Sequence, residues 1–214
     1  EPDVDGEPAR DAPASARARH LPIGFAGVTV DDEGTVHDAQ QRGWECDELD
    51  VITTAGPFDC EDLTTSNGGS PGEIGVTRVW SYNPTAGNWA SVDYELDPRP
   101  ATAAWVGLSE ITFVDGELVF IERDNRTGVW ATIKTLTKVD TSALDDGTVS
   151  NAEQDVYDLL PDMEASNGWI SDKPEGTAIF ADGSTFVITD NDGVDDWSGE
   201  TQLLRLGDLD ALFD

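Results

Sequence analysis

Two short stretches of this chain carry side chains suited to chemistry. Glu122-Arg123-Asp124-Asn125-Arg126 alternates acid and guanidinium where an apolar run ends. Its arginines could grip a phosphate through charge-assisted hydrogen bonds, although pairing with the neighbouring acids is the simpler use of either one. Asp190-Asn191-Asp192-Gly193-Val194-Asp195-Asp196, with Glu200 beyond, sets oxygen ligands on alternate residues around a glycine. That is the pattern of a calcium loop, without the third spaced acid and distal glutamate of an EF-hand. An acidic hairpin turn reads the same residues equally well. Nucleophilic hydrolysis finds no support: His20 and His37 are the only histidines, and no Gly-x-Ser-x-Gly elbow, phosphate loop or dinucleotide phrase occurs.

The elements that must position these residues are legible in a recurring phrase. Gly24-Phe-Ala-Gly-Val-Thr-Val leads through Gly34 to Gln40-Gln41-Arg42, and Gly107-Leu-Ser-Glu-Ile-Thr-Phe-Val leads through Gly116 to the first stretch. Lys173-Pro-Glu-Gly-Thr-Ala-Ile-Phe leads through Gly183 to the second. Each copy is an apolar strand, a glycine turn, a second apolar strand and a polar cluster. Further strand-like runs follow: Val76–Tyr82 and Trp89–Leu96, then Trp130–Val139 and Val156–Leu160, then Thr201–Leu206. Four antiparallel strands per repeat, the last copy lacking one, predict an all-β β-propeller of about three four-stranded blades. Insertions at 45–73 and 140–154 account for the long repeats, and almost no helix is expected. Three blades do not close a propeller, so the chain reads as part of a larger one, with residues 1–20 an acidic linker and 21–214 the partial propeller. The remaining blades would come from an upstream segment.

Charge bounds the partners. Twelve basic residues against 44 acidic give a net charge of −32 over 214 residues. Such a surface repels nucleic acid and anionic membrane and favours divalent cations, and no apolar run is long enough for membrane insertion. The seven tryptophans read as blade-packing cores. Cys46 and Cys60 share one Gly/Thr/Asp-rich stretch and predict a local disulfide, hence an oxidising compartment; two unrelated buried thiols are the alternative.

The chain resembles the "esterase-like activity of phytase" family of bacterial phytase-like β-propellers. The resemblance rests on Gly24-Phe-Ala-Gly-Val-Thr-Val, Gln41-Arg42-Gly-Trp44, Trp105-Val-Gly-Leu-Ser-Glu-Ile and Glu122-Arg-Asp-Asn-Arg-Thr-Gly128, then Lys173-Pro-Glu-Gly and Thr189 through Thr201. It implies a secreted or periplasmic protein, phosphoester hydrolysis on a phosphorylated small molecule, and calcium held by carboxylates near the central channel. The corresponding positions make Glu110, Glu122, Arg123 and Lys134 candidate catalytic residues. Asp124, Glu175, Asp190, Asp192, Asp195 and Glu200 are the candidate metal ligands. The family has Glu at Ala26 and Arg at Thr132, so one carboxylate and one cation of its pattern are replaced here. A non-catalytic binding or scaffold propeller is therefore the alternative reading.

Overall fold

The computed structural model describes residues 25–42, 71–191 and 201–214. Twelve strands form three sheets, one per sequence repeat. The first joins β1 (Phe25–Val30), β2 (Val36–Gln40), β3 (Val76–Asn83) and β4 (Asn88–Glu95) in order. The second joins β5 (Val106–Val114), β6 (Glu117–Asp124), β7 (Lys134–Asp140) and β9 (Asp155–Asp158), and the third joins β10 (Lys173–Ile179), β11 (Ser184–Asp190) and β12 (Leu203–Asp208). These pairs are antiparallel throughout, and the predicted four, four and three strands are all present.

Turn chemistry explains the hairpins. Asp115 (φ 48°) and Gly116 (φ 90°) form the two-residue loop between β5 and β6, and positive φ at both central positions is what a type I′ hairpin requires. Gly183 (φ 81°) does the same work between β10 and β11, where a Cβ would also collide with the Asp208 carboxylate. In the third hairpin Asn83 Oδ1 accepts from the N–H of Thr85 and Ala86, closing the turn before Gly87.

The sheets stack face to face, so there are two seams. Ala39, Val79 and Tyr94 of the first sheet meet Leu108, Leu118 and Phe120 of the second, with the Tyr94 and Phe120 rings 5.0 Å apart. Val119, Ile121 and Leu136 leave the other face of the second sheet toward Val187 and Leu204 of the third. Burying each such side chain contributes roughly 1.5–3 kcal/mol. The second sheet is thus covered on both faces, and every residue of β6 after Glu117 is buried.

Three expectations need correcting. The 140–154 insertion contains β8 (Thr148–Val149), which reaches back to the first sheet and pairs parallel with β4. There Glu95 accepts from the Asn151 N–H and the Gln154 amide, so an exposed edge strand is covered. Helix is not negligible: α1 (Leu160–Asn167) follows β9, α2 (Leu209–Leu212) follows β12, and three short 3₁₀ segments occur among the described residues. α1 has Pro161 in its first turn and is capped by Gly168 (φ 78°), burying Met163 in the second seam. The run expected to be a strand from Trp130 begins only at Lys134, after a 3₁₀ turn over Gly128–Trp130, and Trp130 is 63% exposed instead of packed in a core.

Candidate functional site

One irregularity recurs in all three innermost strands. Each of β1, β5 and β10 carries a β-bulge in its N-terminal half, away from the hairpin turn, with Ala26, Ser109 and Glu175 as the extra residues. Bulges bend a strand and re-aim its side chains, often beside functional sites. Glu175 and Ala26 therefore occupy equivalent places, as expected. Glu110 follows the bulged residue and matches Gly27 and Gly176; this, not a shorter loop, is why it is offset. The register also shows that Asp190 corresponds to Arg123 and Gln41, and Asn191 to Asp124, so the acids of the second and third copies are not equivalent. Ser109 Oγ donates to the Pro174 carbonyl (2.6 Å), tying two innermost strands together.

Most of the candidate charges gather in the second seam. Arg123, 2% exposed, donates through Nη2 to Glu175 (2.8 Å) and through Nη1 to Asp172 (3.4 Å). Lys134, fully buried, donates to the Asp124 carboxylate (2.9 Å) and carbonyl (2.6 Å). Burial lowers the ammonium pKa, and the touching carboxylate opposes that shift. Asp124 also accepts from Arg126 N, Thr132 N, Thr132 Oγ1 and Ile133 N. Its two oxygens are filled by protein donors at zero exposure, so the geometry makes Asp124 the anchor of the β6–β7 connection in place of a metal ligand. Thr132, standing where the family has Arg, supplies two of those donors.

Glu122 faces the other way, into the first seam. Its Oε1 accepts from Asp97 N at 2.5 Å, and it is sealed from solvent. Burial, then the charge of Asp97, pushes its pKa well above the ordinary carboxylate value, and burial raises Asp97 as well. Glu122 therefore fastens the seam through that hydrogen bond and holds a proton more readily than an ordinary carboxyl. Glu110 is different. Half-buried beside Gly27, where a Cβ would come within 2.6 Å of Glu110 Oε1, it accepts from Ile111 N and has its pKa raised by burial. It is a carboxyl at the bulge end that retains a proton more readily than usual.

Two arginines converge near this end. The guanidinium carbons of Arg42 and Arg123 lie 4.8 Å and 4.9 Å from the Trp105 ring centroid, within cation–π range. Gly107 makes the approach possible, because a Cβ there would strike the Gln41 carbonyl and lie 2.8 Å from Arg42 Cγ. Leu108 N donates to Gln41 O (2.9 Å), so the first sheet is pinned to the second at that point. Arg42 was readable only as part of a motif; no acid or spacing beside it marks it as a site residue.

The histidine reading also changes. His37 Nδ1 lies 2.9 Å from Ser81 Oγ, and Nε2 lies 3.0 Å from Asp31 Oδ2. The imidazole is buried, and Asp31 also accepts from Glu33 N and Thr35 N. The chain of contacts ties the β1–β2 turn to β3 inside the sheet, a fastening across paired strands.

Among the described residues, no three His, Cys, Asp or Glu side chains come together as a metal site. Asp190 ends β11 and is exposed. Asp192, Asp195 and Glu200, and the Cys46–Cys60 pair, lie outside the described residues. The described donors alone do not make a calcium site.

Three stacked sheets, each built around an antiparallel hairpin with a bulged first strand, define a repetitive all-β protein. The family model "Esterase-like activity of phytase" matches residues 61–193, and the chain belongs to that phytase-like family. No curated protein and no solved structure matches it significantly.

Proposed function

We propose that the protein is a phosphoric ester hydrolase of the phytase-like kind, acting at the bulge end of the innermost strands. The observation that carries the reading is Glu110, a half-buried carboxyl with a raised pKa. It is the one of the four candidate catalytic residues that solvent reaches appreciably. A carboxylic acid that holds its proton more tightly than usual is better suited to protonating the departing alkoxide of a phosphate ester. Arg123 is held by Glu175 and Asp172, while Glu122 and Lys134 hold the seams on which the site is built.

Calcium belongs to the proposal through Asp190 with Asp192, Asp195 and Glu200, whose spacing supports it. A secreted or periplasmic setting rests on the cysteine pair and the family. The exposed Val28 and Val30 on the first sheet, and Ile188 and Leu203 on the third, support further blades packing on those outer faces.

A second reading has an observation of its own. Asp124 and Lys134 satisfy each other completely inside the protein, as they would in a propeller that keeps its fastenings and only binds. Hydrolysis of p-nitrophenyl phosphate and inositol hexakisphosphate, each with calcium or with chelator, separates the two. The enzyme reading expects turnover that Glu110→Gln lowers by roughly 10²-fold or more. No turnover by the parent protein between pH 5 and 8 leaves the binding module.

A further inference from the structure

The geometry points to a metal-independent oxyanion site built on Arg42 and Arg123 around Trp105, a proposal that rests on the phosphoester reading and assigns the group that grips the phosphate. The chain is strongly acidic, so phosphate would be expected to bind through a bridging cation. Three of its twelve basic residues, Arg42, Arg123 and Lys134, nonetheless collect at one end of the second sheet. Lys134 is used up by Asp124. Arg123 spends its two terminal nitrogens on Asp172 and Glu175, yet its Nε is buried with no acceptor although the whole side chain is 2% exposed. Arg42 has a buried Nε with no acceptor too, and no acidic partner among the described residues.

A buried guanidinium N–H without an acceptor is costly, more so because it is charged, so two of them against one indole mark a place that an anion would complete. The charges of Arg42 and Arg123 oppose each other there: burial first, then Arg123, lowers the Arg42 pKa. An oxyanion relieves both the missing acceptors and the repulsion. Arg78 is an internal comparison. It too lies over a tryptophan, Trp80, at 5.9 Å, but Asp93 supplies its acceptor at 3.3 Å. The guanidinium–indole pair is therefore shared, and the absent counterion is what distinguishes Arg42.

The test is titration of the full chain with inorganic phosphate in excess EDTA, read by tryptophan fluorescence and by calorimetry. Saturable binding without metal is expected, weakened by sodium chloride. Arg42→Gln should weaken it by about tenfold or more, Arg42→Lys less, and Arg78→Gln not at all. Trp105→Phe should remove most of the fluorescence change while calorimetric binding persists. Melting temperatures of all variants establish that each is folded. Phosphate binding that requires calcium, or an Arg42→Gln variant that is folded and binds phosphate like the parent, overturns the proposal. Binding that is intact in a protein with no hydrolytic turnover would instead overturn the enzyme reading and leave the anion site standing.

Discussion

Glu122 and Arg123 are neighbours on one strand and live in opposite electrostatic worlds. Alternation along β6 sends Glu122 into the first seam and Arg123 into the second. In the first seam the acid meets Tyr94, Asp97 and apolar side chains, and burial raises its pKa. In the second, two cations, Arg123 and Lys134, meet three carboxylates, Asp124, Asp172 and Glu175, so every charge has a partner. A buried acid is tolerated either by holding its proton more tightly or by gaining a partner; Glu122 takes the first course and Asp124, two residues on, the second.

The sharpest way to break the comparison is Lys134→Met. It removes the cation and leaves Asp124 buried with its remaining N–H donors, and breaking such a pair costs about 3–5 kcal/mol. Urea denaturation at pH 7 should show that loss, and a change under about 1 kcal/mol would mean the pair is hydrated. Glu122→Gln sharpens the other side. Because the folded pKa of Glu122 lies above its ordinary 4.5, the unfolded chain ionises first as pH rises, so the fold loses stability above about pH 4.5. The glutamine variant keeps the acceptor for Asp97 N and should flatten that slope across pH 5–8; an unchanged slope would place the ionisation elsewhere.

Gly107→Ala tests the junction through which Arg42 reaches Trp105. Overpacking against Gln41 and Arg42 should cost about 1–3 kcal/mol and weaken phosphate binding in the same protein; stability loss with unchanged binding would separate the two. Asp38 gives the smallest effect. Burial pushes its pKa up to about 7, and its Oδ1 has no partner. The fold loses stability as pH rises from about 4 to 7 through this group, so Asp38→Asn should be more stable at pH 8 by about 1 kcal/mol, after discounting for solvent. Below pH 4 the two proteins should melt alike. Calcium at matched ionic strength should raise the melting temperature more than sodium chloride does, and equal effects would reduce the acidic loop to a solvated surface.

Much of this was determined by the sequence alone, because hairpins are local. Asp-Gly turns, alternating apolar residues and a phrase repeated three times suffice for strand pairs, for their sheets and for an all-β chain. The helix α1 escaped because only Met163 of its residues 160–166 is wholly buried, too little for a helical stripe. Glu110, Glu175 and Arg123 were visible as chemistry-bearing residues, but their roles were not. Which face a charge takes follows from alternation, whereas what it meets there is set by residues tens of positions away: Asp97 for Glu122, Asp172 and Glu175 for Arg123, Trp105 for Arg42. Burial, protonation and missing acceptors are properties of the packed seams, and only the tertiary structure decides them.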